Sequence, residues 1–311
     1  MAGEKSKKSG EIGEKIAISL LDKIGWKHQI QNLSITCNNE KHKNHSGKKK
    51  SSHGEDSIYI YDTPFHDEKT VVAHISIKNA TNGYPTRESE INSTFKKHIE
   101  QLSQIIECAE YDQEVNSLIQ AFGAKKNLQH IGVLVWLHND EKTINKDILK
   151  VISKSRLGLE GNTPYYVIDA GRASFLFQVI NDLGSKSKNG NYQFYYPRIG
   201  TSITVNTDRS NSYLPIGLIV SDIIPAVVTI GECKKFYLYV REEFDELTYK
   251  NMMAYALNFS AGLVNEIYIG FPNYNPVKDN VVTEKTRIFF KDRKEMITPF
   301  SYNKTFLELI K

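Results

Sequence analysis

Apolar residues return at helical spacing through Ile12, Ile16, Ala17, Leu20, Leu21 and Ile24, and Gly25 supplies a stop, so the first element reads as a helix over about 10–25. Glu14, Ile18 and Leu21 fall at i, i+4 and i+7 on one stripe, so Glu14 can point inward near the start of that helix. Glu11 and Glu14 also favour the positive end of the helix dipole. Residues 26–36 read as a strand and 37–53 as a polar, lysine-rich loop. The β-rich run 57–62, a Pro64-containing turn over 63–69 and the apolar run 70–77 then predict a hairpin. With the turn centred near position 67, Asp56 pairs opposite Lys78, because antiparallel partners keep a constant sum of residue numbers.

A long amphipathic helix is predicted over 89–109, with Ile91, Phe95, Ile99, Leu102 and Ile106 on its buried stripe, and a second over 112–122. The near-continuous apolar run 131–137 suggests a strand covered on both faces. A short helix at 147–155 and a strand at 164–169 follow, and strands alternating with helices argue for an α/β layer. The polar, aperiodic stretch 185–191 is the best domain boundary, dividing 1–185 from 186–311. The second half predicts short strands and turns to about 230, a strand at 235–241, a helix at 248–261 and strands at 266–271 and 286–291. That is an α+β pattern whose expected task is recognition or interaction.

The apolar and charged fractions, 40% and 24%, are those of an ordinary globular protein. No apolar run approaches the roughly 20 residues that span a bilayer, and no secretory signal is expected, so the sequence reads as cytoplasmic. Three widely spaced cysteines argue against a disulfide framework. The net charge of +4 is uneven: residues 1–53 hold eleven lysines and five acids. A solvated lysine-rich tail has the same composition, but the positive field lies beside the hairpin, where a polyanion-binding surface belongs. Lys48, Lys49 and Lys50 in the loop, with Lys96 and Lys97 on the long helix, are the candidate phosphate contacts. In the same loop Cys37, His42, His45 and His53 are spaced C-x4-H-x2-H-x7-H, a candidate structural zinc set that matches no standard finger.

Glu14, Asp56 and Lys78 together suit metal-assisted phosphodiester hydrolysis. Two carboxylates hold Mg²⁺ or Mn²⁺, and a strand-borne lysine orients water and offsets transition-state charge. Strand alternation puts Ser76 and His74 on the face of Lys78.

The order helix–Glu14, strand–Asp56, hairpin, Ser76-Ile77-Lys78, helix resembles the core of the PD-(D/E)xK nucleases, in the style of their Holliday-junction resolvase and Mrr-like branches. The stretch from Gly10 to Glu14, followed by Leu20-Leu21 and Gly25-Trp26, is similar to their opening helix. The resemblance implies a restriction-endonuclease-like mixed sheet flanked by helices, with Glu14 as helix carboxylate, Asp56 as central metal ligand and Lys78 as catalytic lysine. Ser76 stands where the family usually has an acid or glutamine, which shifts metal binding towards the backbone carbonyl of Ile77 or towards a carboxylate that has migrated to Glu88 or Glu90. Two functions fit. One is a metal-dependent DNA endonuclease of anti-phage defence or genome maintenance, working as a homo-oligomer or with a second subunit. The other is a degenerate nuclease core that only binds nucleic acid or a partner.

Overall fold

The computed structural model describes residues 2–44, 46–80, 82–143, 146–158, 162–187, 191–197, 209–260 and 262–303, with side chains of the first helix from Gly10 onward. The chain divides into two compact units, Met1–Ser174 and Phe175–Lys311, the boundary lying inside a helix.

The first unit is built on a five-stranded mixed sheet in the order β1-β2-β3-β4-β5, formed by Ile30–Thr36, Ser52–Asp62, Lys69–Ala80, Asn127–His138 and Tyr165–Asp169. The first three strands are antiparallel, and β3, β4 and β5 are parallel. The helices are α1 (Ala2–Lys23), α2 (Glu88–Ala109), α3 (Gln113–Phe122), a single turn α4 (Leu149–Ile152) and the first residues of α5 (Ala170–Lys186), the rest of which belongs to the second unit. Every residue of β3 from Thr70 to Ile77 is buried, so both faces of the sheet are covered there. α1 packs on β3 and β4, and α2 on β1 to β4.

Local chemistry sets the helix ends. Gly25, at φ 93°, closes α1: Trp26 N donates to Leu21 O at 2.9 Å and Gly25 N to Asp22 O at 3.0 Å. This is a Schellman stop, which needs the left-handed backbone that glycine adopts without strain. Asp112 caps α3 by accepting from Glu114 N and Val115 N, while its second oxygen accepts from Thr36 N in β1.

The second unit holds a six-stranded mixed sheet, ordered β11-β10-β9-β8-β6-β7. Its strands are β6 (Tyr192–Tyr195), β7 (Ser210–Asn211), β8 (Ile223–Ile230), β9 (Cys233–Val240), β10 (Glu266–Phe271) and β11 (Met296–Ser301), with helices α6 (Ile216–Ile219), α7 (Glu246–Ser260) and α8 (Asn280–Arg287). The strand expected at 286–291 is instead the end of α8 and a 3-10 turn, Ile288–Phe290. Thr283 and Thr286 satisfy their hydroxyls on the helix carbonyls of Asp279 and Val282, so β-branched residues that read as strand are accommodated in helix. The true strand, β11, contains Pro299, and it lies at the sheet edge, where a missing N–H is tolerated. The helix expected over 147–155 is confined to α4. Among the described residues no helix is long and apolar enough to cross a membrane.

Candidate active site

The hairpin forms with a register two residues from the one expected. Pairs such as Ser57↔Ile75 and Asp62↔Thr70 sum to 132, not 134, so the ladder continued by one residue faces Asp56 with Ser76. The turn is centred one residue earlier, near position 66, because β3 begins at Lys69 and Thr63 N donates to Lys69 O. On the other side the β1–β2 ladder runs Gln31↔Ser57 and resumes at Leu33↔Glu55, stepping over Asn32 and Asp56, with Asn32 at φ 57°. Asparagine tolerates that conformation better than most residues. Asp56 is thus outside both regular ladders, and its carboxylate turns into β3.

There Asp56 Oδ2 accepts from Ile77 N at 2.6 Å and lies 3.5 Å from the donor Ser76 Oγ and 3.7 Å from Lys78 Nζ. The amide bond is short and charge-assisted, whereas the hydroxyl contact is at the outer limit. The two charged side chains are about one-third exposed, Lys78 at 32% and Asp56 at 28%. Lys78 stands where β3 emerges from its buried stretch, at the carboxyl ends of the parallel strands, the usual place for a crevice in such sheets. A cleft of about 550 Å³ opens beside it, its wall including Lys78, Tyr84, Glu90, Thr94, His98 and Trp136. Tyr84 holds that wall in place: its hydroxyl donates to Trp136 O and accepts from Ala170 N.

Glu14 differs from expectation. α1 buries Gly13, Ala17, Leu20, Leu21 and Ile24, and Glu14 is exposed. The reason is close packing at the preceding residue: a Cβ on Gly13 would lie 2.2 Å from Asn79 Cβ, so α1 meets β3 through Gly13 and directs Glu14 away from the contact. Among the described residues Glu14 has no hydrogen bond or ion pair to Asp56 or Lys78. Glu90 lines the cleft of Lys78, and Glu88 is not among its wall residues.

The basic residues divide by environment. Lys50 donates to Gln104 Oε1 on α2 at 2.9 Å, Lys49 lies 3.5 Å from Glu40, and Lys96 is 3.9 Å from Glu100. Lys48 and Lys97 are exposed. Of the residues expected to hold zinc, Cys37, His42 and His53 come together in a buried cluster, completed by Cys108 of α2. His45 lies outside the described residues. Cys108 was missed because it reads as an ordinary apolar position of an amphipathic helix.

Also unread in the sequence is a polar line, buried at Glu55 and His74 and half-buried at His130. Glu55 Oε1 lies 2.7 Å from His74 Nδ1, and His74 Nε2 lies 2.8 Å from His130 Nδ1 on β4. Burial raises the Glu55 pKa and His74 opposes the rise. Burial, with a smaller repulsion from His74, lowers His130 from 6.5 to about 4. Burial followed by Lys78 and Lys97 does the same to His98, which stacks edge-on against Trp136. Both imidazoles are therefore neutral in the folded state near pH 7. Since their folded pKa values lie below the unfolded value, their contribution to stability is complete above about 6.5 and is lost as pH falls through about 4. Thermal unfolding at pH 7.5, 6.0 and 4.5 is expected to show a falling Tm, and His130→Phe is expected to flatten that fall. An unchanged slope would contradict it.

The hard oxygen donors Asp56 and the carbonyl of Ile77, which adjoin through the Ile77 N–Asp56 bond, are of the kind that hold Mg²⁺ or Mn²⁺. Asp56 retains an oxygen, Oδ1, with no partner among the described residues, which fits a cation. No curated protein and no solved structure matches this chain. A family model does: the one described as the GAPS4 protein PD-(D/E)XK nuclease domain matches residues 1–172, more than half of the chain, and the chain belongs to that nuclease family.

Proposed function

We propose that this chain is a divalent-metal-dependent DNA endonuclease of bacterial anti-phage defence. The observation that carries the reading is the Asp56 carboxylate, tied to Ile77 N and 3.7 Å from Lys78, which itself lines a cleft in a nuclease-family domain. Asp56, Glu14 and the Ile77 carbonyl would hold Mg²⁺ or Mn²⁺. When bound, such an ion polarises the phosphate and lowers the pKa of a coordinated water. Ser76 and the Ile77 amide fix the direction of Asp56. Lys78 orients the attacking water and offsets the charge that builds on the phosphate in the transition state. Glu90, which lines the same cleft as Lys78 and lies 3.6 Å from Arg87, is the candidate for the carboxylate that Ser76 lacks. Lys48, Lys49, Lys50, Lys96 and Lys97 supply the sequence-independent attraction to the DNA backbone. The second unit takes the part of target or partner recognition, in a homo- or hetero-oligomer acting in the cytoplasm, a role that rests on analogy with nucleases carrying an appended recognition domain.

Ser76 favours a second reading, a nuclease fold that only binds nucleic acid. Supercoiled-plasmid cleavage by the full chain with Mg²⁺ or Mn²⁺ separates them. Wild type is expected to nick or linearise the plasmid, and Asp56→Asn to slow this by about 100-fold or more while still binding DNA. Wild-type binding without cleavage in either metal would establish the second reading.

A further inference from the structure

Residues 38–52 have almost nothing apolar to order them: among those described, His42 alone is buried. Yet this segment has a defined path. Cys37 N donates to Ser51 O, Lys50 N to His42 O and Asn44 N to Lys48 O, forming a small hairpin-like excursion between β1 and β2. What gathers its base is a cluster of four side chains, three from the segment and its ends (Cys37, His42, His53) and one from α2 (Cys108), all buried.

The distances within the cluster have a specific pattern. Cys37 Sγ and Cys108 Sγ are 3.9 Å apart, and His42 Nδ1 and His53 Nε2 are 3.3 Å apart. The sulfur–nitrogen separations are 3.6 Å for Cys37–His42, 3.5 Å for Cys108–His42 and 3.6 Å for Cys108–His53. A zinc ion about 2.3 Å from sulfur and about 2.05 Å from nitrogen, with tetrahedral angles, requires edges of about 3.8 Å for S–S, about 3.4 Å for N–N and about 3.6 Å for S–N. Five of the six edges agree with that tetrahedron to about 0.1 Å, and the sixth, between Cys37 and His53, is within 4.8 Å. Direct hydrogen bonding does not explain the arrangement, since four such atoms cannot all be donor and acceptor to one another. A disulfide does not explain it either, because 3.9 Å is nearly twice an S–S bond of about 2.05 Å.

The surroundings have the features of a ligand site. Glu107 Oε2 lies 3.2 Å from His42 Nε2, which places the proton on Nε2 and leaves Nδ1 as a lone-pair donor towards the cluster. Glu107 is itself held by Ser103 Oγ at 3.1 Å and Asn39 Nδ2 at 3.4 Å. We propose that Cys37, His42, His53 and Cys108 form a structural zinc site that fastens the basic loop to α2. Two thiolates and two neutral imidazoles balance the dication, and binding releases one proton from each thiol. The site has no open position, so its work is mechanical. It holds Lys48, Lys49 and Lys50 on an ordered excursion, and it anchors β2 three residues before Asp56.

The test is metal analysis of the full chain purified from cells grown with added zinc. About one zinc per chain is expected, retained by His45→Ala and reduced at least fivefold in Cys108→Ser. Should Cys108→Ser fail to fold, cobalt(II) added to metal-stripped wild type gives an independent readout. Ligand-field bands of tetrahedral cobalt with a thiolate-to-cobalt charge-transfer band are expected. Wild type with under about a tenth of an equivalent of zinc and no such bands would overturn the proposal. So would a full equivalent of zinc retained by Cys108→Ser, or a Cys37–Cys108 disulfide in protein isolated without reductant.

Discussion

Lys78→Ala is expected to slow plasmid cleavage by about 10²–10³-fold, the cost of removing one preorganised group that stabilises developing charge. The same change is expected to leave the fold intact. Lys78 and Asp56 are each about one-third exposed at 3.7 Å, and a pair in that setting contributes roughly 0–1 kcal/mol. Without the lysine Asp56 keeps its bond to Ile77 N, the shorter and stronger of its contacts. Lys78→Arg tests the chemistry more sharply. A guanidinium keeps the charge but is planar, longer and unable to give up its proton, so activity is expected to stay well below wild type. DNA affinity is expected to change by less than about tenfold in both variants, since one phosphate contact among several is lost. Wild-type cleavage by Lys78→Ala would move the reaction centre away from the hairpin.

The largest stability effect is expected at Glu55. Its side chain and that of His74 are both 0% exposed and 2.7 Å apart, inside the sheet that carries the site. Glu55→Ala leaves the His74 Nδ1 that faces it in the interior without its partner, at about 1–3 kcal/mol. For a unit of this size that corresponds to a fall in Tm of about 5 °C. Both tryptophans, Trp26 and Trp136, are in the first unit, so their fluorescence follows its unfolding separately from the second. The pair is not expected to be worth that much in itself. The double variant Glu55→Leu, His74→Leu exchanges two desolvated polar groups for apolar ones, leaves the half-buried His130 to water in place of His74, and is expected to recover part of the loss. If it is as unstable as Glu55→Ala, the contact contributes through shape and not through polarity.

The hairpin was legible because its signals are local. Alternating apolar residues, a proline turn and a long buried run specify two paired strands whatever surrounds them. Its register was not, because a one-residue change in the turn centre moves every partner by two, and the release of Asp56 depends on the positive φ of Asn32 in a strand further back. Glu14 shows the same limit on a helix. Spacing identifies the buried stripe to within one residue, but which neighbour faces the sheet was decided by the fit of Gly13 against Asn79. At the far end, a threonine- and aromatic-rich run reads as strand until helix carbonyls accept its hydroxyls, as at Thr283 and Thr286.

By itself the sequence determined the α/β alternation, the order of elements through the nuclease domain, and Asp56 and Lys78 as a pair on neighbouring strands. These follow from periodicity and turn chemistry, which act over a few residues. Only the tertiary structure decided the fourth member of the Cys/His cluster, Cys108, 55 residues beyond His53, and the polar line from Glu55 through His74 to His130. Such groups meet because the sheet and α2 bring distant segments within bonding distance, and nothing in their immediate neighbours along the chain records that encounter.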